Sequence, residues 1–419
     1  MPLDPLILAR GLHLVCSLLA GGTVAFLVLV AEPAARATNE PSVAPAALRR
    51  RLNELVWFAL SGAMASGALW LALLAANILG TNVVDAVVHG GAWTVLSETR
   101  FGAVWALRAA LVVLIAGLLP SPRLGWLQLG AAAGLVATLA WVGHAGATPG
   151  AEGDVHLIAD VLHLLAAGAW LGGLPALALL LSRAPRAGDP GFAVRATARF
   201  SWLGMVGVGT LLASGVINSW FALDGIGDLI ATDYGRLLLV KFALFVGMIV
   251  VAAVNRFRLT PKLPALQAMR ALMRNSLIEN ALGLGVLLIV GVLGTMPPAA
   301  HRHAPPPAIP ADAAFVHIHS SEAMADVTID PGRAGRTHVT IRVSREDFSE
   351  FPARSVRLAL DQPKPAHGSV ECSAIAMPDG TWQVNALDLG TPGIWTIRVI
   401  VIPMSGPSIV LDAPVEIAR

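Results

Sequence analysis

Apolar runs of about 20 residues, the length that carries a helix across a bilayer, recur through the first 300 residues of this chain. In hydrocarbon, every backbone N–H and C=O must find its partner inside the chain, so spanning segments are helices or closed barrels. The runs are continuous and not alternating, which selects helices. We read eight of them, at about 5–31, 49–79, 100–119, 124–143, 156–182, 195–222, 235–254 and 275–295. Charged residues make up 13% of the 419, about half the share of a soluble domain. The fold class expected is an all-α polytopic membrane bundle followed by a small all-β sandwich.

The connections alternate in charge. Arg36, Arg49, Arg50 and Arg51 follow the first run, Arg123 lies between the third and fourth, Arg183 to Arg199 follow the fifth, and Arg256 to Arg274 follow the seventh. The remaining loops carry Asp85, Glu98, Glu152, Asp154, Asp228 and Asp233. The positive-inside rule makes the basic loops cytoplasmic and both termini periplasmic, in a bacterial inner membrane. Leu6 to Val30 is too long for the apolar core of a signal peptide. A net charge of +2 argues against nucleic acid. No nucleotide loop, catalytic triad or HExxH motif is read in the sequence, which argues against an ATP-driven pump, and the expectation is that the chain is not an enzyme. Cys16 and Cys372 are too far apart to suggest a disulfide framework.

Past the eighth run the composition changes. Residues 299–313 form a proline-rich linker, semi-rigid and extended. From 314 to 419 short alternating segments (VHIHS, ADVTIDPG, HVTIRVS, SVRLAL, TWQVNALDL, GIWTIRVIVI) predict an antiparallel β-sandwich, with Trp382 and Trp395 in its core.

The membrane part, 1–298, reads as a parallel repeat of four helices, about 1–145 and 154–298. ARGLHLVCSLLAGG aligns with ADVLHLLAAGAWLGG, setting His13 against His163. MASGALW meets LASGVIN, so Ser66 falls on Ser214. RFGAVWALRAAL meets DYGRLLLVKFAL, so Arg108 falls on Lys241. WVGHAG meets VLGTMPP, which sets His144 opposite Thr295 or Met296.

By this topology none of the eleven histidines is cytoplasmic. His156, Asp160, His163 and Trp170 share one helical face, and ionisable groups in a bilayer face the bundle interior or a watery path. Imidazole binds copper, zinc, iron and nickel; Cys16, one turn below His13, and Met296 add soft sulfur that favours Cu(I). Asp160 is placed to orient a histidine. The plainer readings are interhelical hydrogen bonds for the histidines and packing for Trp170 and Cys16. Arg108 and Lys241 either snorkel outward, pair with an acid such as Asp160, or hold an anion. Glu279 is a proton or ion relay or an interfacial carboxylate. In the sandwich, His317 and His319 lie on one strand face, a spacing suited to Cu(II) or to simple solvation.

HLLAAGAWLGGLPAL and ENALGLGVLLIVGVLGTMPP, within an eight-helix layout, resemble the copper-resistance protein D (CopD-like) family, most strongly from Asp154 to Pro298. HIHSSEAMADVTIDPG and DGTWQVNALDLGTPGIWTIRVIV are similar to β-sandwich domains fused to some of its members. The resemblance implies copper tolerance, movement of copper from the periplasm across the inner membrane, and a periplasmic copper carrier as partner. It assigns His163 and Trp170 to the motif of the fifth helix and Glu279 to that of the eighth. The expectation is a copper-handling protein of the inner membrane, importing copper or feeding cuproenzyme assembly. Copper passes into a site lined by His13, His144, His156 and His163. The rivals are a haem-binding membrane cytochrome with histidine axial ligands and a copper sensor or scaffold that transports nothing.

Overall fold

The computed structural model describes residues 5–37, 44–78, 81–98, 100–142, 150–184, 189–223, 225–294, 296, 310, 312–320, 323–345, 351–361 and 370–418. The chain divides into two units, Met1–Ala300 and His301–Arg419. The linker expected at 299–313 lies largely outside the described residues.

Among the described residues of the first unit, eight helices are long and apolar enough to cross a membrane. We number them as spans 1 to 8: Pro5–Arg36, Pro45–Asn77, Phe101–Leu118, Pro122–Val142, Gly153–Arg183, Pro190–Ala222, Asp233–Lys262 and Leu266–Leu293. Span 8 starts nine residues before the sequence-based expectation. Arg270 and Arg274 belong to its first turns, where long cationic side chains can reach out of the bilayer. Two short helices, Val83–Val88 and Gly91–Glu98, fill the connection between spans 2 and 3, which we expected to be loop.

Span 1 is the axis of the bundle. In its most apolar window 78% of residues are buried, against 6% for span 7. It packs on spans 2, 4, 5 and 8. Its crossing with span 5 is backbone against backbone: a Cβ on Gly22 would run into Gly168 O and the Gly172 backbone, and a Cβ on Gly172 into Leu18 O. Small residues allow this approach in membrane bundles, where dispersion replaces the hydrophobic drive between helices. Span 5 is interrupted after Leu171 and restarts at Leu174. Pro175 lacks the N–H that an uninterrupted ladder requires, and Gly173 lies against the Phe200 ring of span 6. One end of span 1 is tied down by charge: Glu32 pairs with Arg49 and Arg36.

The second unit is a sandwich of two antiparallel sheets, ordered β1-β2-β3-β7-β6 and β5-β4-β8-β9. The strands are β1 Ala314–His319, β2 Met324–Asp330, β3 Gly335–Ser344, β4 Ala353–Asp361, β5 Val370–Ser373, β6 Ile375–Ala376, β7 Thr381–Leu389, β8 Gly393–Pro403 and β9 Ile409–Ile417. Alternation puts Val327, Ile329, Val339, Ile341, Ile397 and Val399 between the sheets. Trp395 is buried there, its indole N–H donating to Thr391 O at 3.1 Å. Trp382 is only partly buried, against the same core.

His317 faces Asp326 across the β1–β2 pair, with Nδ1 and Oδ1 2.6 Å apart. Hydrogen bonding to that carboxylate raises the imidazole above its ordinary value of 6.5. The raised value means the pair stabilises the fold fully below pH 6.5 and the contribution fades as pH rises through the folded-state value. Solvent screening limits it to about 1 kcal/mol or less. An NMR titration of His317 should therefore show a midpoint above 6.5, and Asp326→Asn should bring it down. An unchanged midpoint in the variant would remove the carboxylate as the cause.

Candidate functional site

The two stretches that the sequence alignment pairs each set a histidine against a serine, and they differ in what surrounds the ring. In the first, His13 on span 1 points Nδ1 at the carbonyl of Ala63 on span 2, 2.9 Å away. A carbonyl only accepts, so Nδ1 carries the proton and Nε2 presents the one lone pair of the ring. Arg108 of span 3 donates Nε–H to that lone pair at 3.1 Å. Its remaining donors go to Leu135 O and Thr138 Oγ1 of span 4, at 2.8 and 2.7 Å, and to Ser17 Oγ of span 1 at 2.7 Å. Trp70 stands edge-on to the imidazole at 5.8 Å, and the Trp105 ring lies close to Gly67. His13 and Arg108 are both sealed from solvent. Arg108 thus neither snorkels nor finds a carboxylate: four acceptors from spans 1 and 4 take the place of water around its charge.

In the second repeat His163 on span 5 lies 3.0 Å from Ser214 Oγ on span 6. The Ser214 hydroxyl donates to Thr210 O at 2.6 Å, so its oxygen accepts from the imidazole and the proton again sits on Nδ1. This matches His13, whose Nδ1 is 3.4 Å from Ser66 Oγ. The other nitrogen differs. His163 Nε2 takes no hydrogen bond from any described residue and the ring lines a cavity of about 930 Å3. Lys241, the counterpart of Arg108, lines the same cavity and forms no hydrogen bond or close ion pair among the described residues. Asp160, which accepts from Asn218 Nδ2 at 3.1 Å, acts on it electrostatically.

The repeat alignment explains the cavity. Trp70 becomes Asn218, Trp105 becomes Leu238, Ser17 becomes Ala167 and Thr138 becomes Ile289. Two indoles that fill the first repeat are gone, and so are two hydroxyls that held the cation. The signal was in the sequence, in what differs between the repeats more than in what they share.

A smaller cavity, about 240 Å3, lies further along span 5 beyond Trp170. Its polar wall is Glu279 of span 8, which is buried and accepts from Asn255 Nδ2 of span 7 at 2.6 Å. Asn275 Nδ2 donates to Asn255 Oδ1 at 2.8 Å, and Arg256 Nη1 to Ser201 Oγ at 2.7 Å. Glu279 is therefore an interior group, away from the interfacial position that the sequence also allowed.

The other expected ligands are dispersed. His156 stacks on Phe221 at 4.5 Å, two turns from His163. Cys16 is a free, buried thiol packed against Gly62. Met296 is half-buried just past the end of span 8. His144 and the His319 side chain lie outside the described residues. Among the described residues no three His, Cys, Asp or Glu side chains form a group able to hold a metal ion. Gathering of His13, His156 and His163 into one site is thus not what the helices do: His13 turns toward span 2 and His156 toward Phe221.

Known proteins are similar along most of the membrane unit. Residues 194–293 match the family described as Copper resistance protein D, and residues 1–154 match Copper resistance protein D-like, N-terminal domain. The chain is 32% identical over 320 residues to Copper transport protein CutJ of Bacillus subtilis, which covers 73% of this chain and 56% of that protein. It is 31% identical to Inner membrane protein YebZ of Escherichia coli, over 60% of this chain and 85% of that one. It is 34% identical to Copper resistance protein D of Pseudomonas syringae pv. tomato, over 51% and 74%. Eight spans, the repeated His–Ser pair and these matches together place the chain in the copper-resistance protein D family, as a multi-pass protein of the inner membrane.

Proposed function

We propose that the chain moves copper from the periplasm across the inner membrane, and that copper meets the protein at His163. The observation that carries this is the imidazole Nε2 left open to a membrane-embedded cavity, when the equivalent nitrogen of His13 is closed by Arg108. A soft or borderline ion such as copper favours imidazole. One ready ligand favours brief binding, as passage requires, over storage. The basic loops support a topology with both termini periplasmic, which would let a soluble copper carrier deliver to the His163 end. The reading needs no catalysed reaction, and copper is cargo in it. His13 is then a structural residue, although the repeat makes it look like the twin of His163. The B. subtilis relative named as a copper transport protein supports the reading.

Copper accumulation in proteoliposomes under reducing conditions tests it. His163→Ala should lower the initial rate more than tenfold or so, by analogy with losses seen at metal sites. His13→Ala should lower the yield of folded protein, while the rate per folded molecule stays near the parent's. Equal rates for His163→Ala and the parent would refute the proposal. The same cavity, apolar with a histidine and a lysine, also suits a haem with His163 as axial ligand; an absorption spectrum of the purified protein decides between them.

A further inference from the structure

Trp170 lines both cavities of the second repeat: the larger one with His163 and Lys241, and the smaller one with Glu279 and Asn255. Seven residues separate His163 from Trp170, a rise of about 10 Å along the helix. The indole is 3% exposed. It is held from two directions. The Phe245 ring of span 7 packs edge-on at 6.1 Å. Gly204 and Gly207 of span 6 leave it a slot, for a Cβ on either would touch the Trp170 side chain at about 3.6 and 3.5 Å. Glu279 of span 8 shares the wall of the smaller cavity with it. Glu279 is itself braced by Asn255, and Asn255 by Asn275.

We propose that the two cavities are halves of one route through the second repeat and that Trp170 is the barrier between them. Three features support a route over two unrelated pockets. Polar side chains occur on both sides of the indole in an otherwise apolar wall. A buried carboxylate in a bilayer is expensive and marks ion or proton pathways. The matching position of the first repeat carries an amide: the alignment that sets His144 opposite Thr295 sets Gln128 against Glu279, and the Gln128 Nε2 is spent on Leu118 O and Ser121 O. The acid is thus peculiar to the repeat that has the cavities. A cation small enough to pass would leave the imidazole of His163, cross the plane of Trp170 when the indole swings away, and meet the Glu279 carboxylate next. This rests on the transport reading above, and the test is chosen to be independent of copper.

The probe is a small membrane-impermeant cationic methanethiosulfonate. The background is the full chain with Cys16→Ala and Cys372→Ala, carrying Ala167→Cys, a cavity-lining position one turn from Trp170 on the His163 side. In right-side-out and inside-out vesicles the thiol should be labelled from one membrane face only. Adding Trp170→Ala should make it reactive from both faces. Trp170→Phe leaves a smaller ring in the slot; it should raise labelling from the closed face, by less than Trp170→Ala does. If Trp170→Ala does not fold, the Phe variant alone decides. One-sided labelling in every folded Trp170 variant, or two-sided labelling in the parent, would overturn the barrier. Two-sided labelling in Trp170→Ala with no copper flux in the parent would leave the route standing and remove the copper reading.

Discussion

Arg108→Leu should leave almost no folded protein. The guanidinium is the hub of the first repeat: it alone occupies His13 Nε2, and it satisfies Ser17, Thr138 and Leu135 O. Leucine would fill part of the volume but leave these polar groups facing it inside a membrane bundle. Each buried polar group stripped of its partner costs about 1–3 kcal/mol, and removing one member of a buried charged network costs about 3–5 kcal/mol in total. Replacing a whole polar cluster with apolar groups can be neutral; removing its centre is not. Thermal unfolding in detergent, followed by size-exclusion fluorescence, should show the variant aggregated or melting far below the parent. Lys241→Leu at the matching position should melt near the parent, because Lys241 makes no hydrogen bond to a described residue. Equal melting of the two variants would mean that the first-repeat network carries no stability.

Gly172→Leu should be at least as damaging. The atoms that a side chain would meet there belong to the backbone of span 1, which cannot rotate aside as a side chain can. Overpacking a core by a few methylenes costs about 1–3 kcal/mol when neighbours can give; here spans 1 and 5 must part, and the contact between the repeats goes with them. Even Gly22→Ala should destabilise strongly. Gly130→Ala, which faces open space, should be neutral or slightly stabilising, since alanine favours helix by about 1 kcal/mol. The same detergent melting assay separates the three, and a Gly172→Leu protein that melts with the parent would show that the crossing is looser than described.

Much of this architecture was legible. Apolar length located all eight spans, because lipid leaves a chain few alternatives. The ends were less so: Arg270 and Arg274 read as loop, yet charged residues are tolerated in a helix that emerges into the interface. In the sandwich, β5, β6 and β9 escaped notice, as two are short and Ile409–Ile417 is interrupted by Pro414. The alignment sets His13 against His163, and in the structure each ring faces a serine, Ser66 and Ser214. What sequence similarity could not disclose is which ring is open. That depends on Arg108 reaching His13 across 95 positions and on indoles from spans 2 and 3. The cavity wall that Trp170 and Glu279 share is likewise non-local, and no periodicity within either helix announces it.

The sealed cluster of the first repeat has a meaning for the order in which the protein is made. Every group in it, from Ser17 and His13 through Ala63 and Arg108 to Leu135 and Thr138, belongs to spans 1 to 4. Span 1 also packs on span 8, and Arg10 donates Nη1–H to Gly294 O at 2.9 Å. At about 5–20 residues per second, span 8 reaches the membrane some tens of seconds after span 1. For that interval one flank of span 1 faces lipid. A first half that completes its own hydrogen bonds can stand during the wait and serve as the template on which the second half, with its open cavities, is assembled.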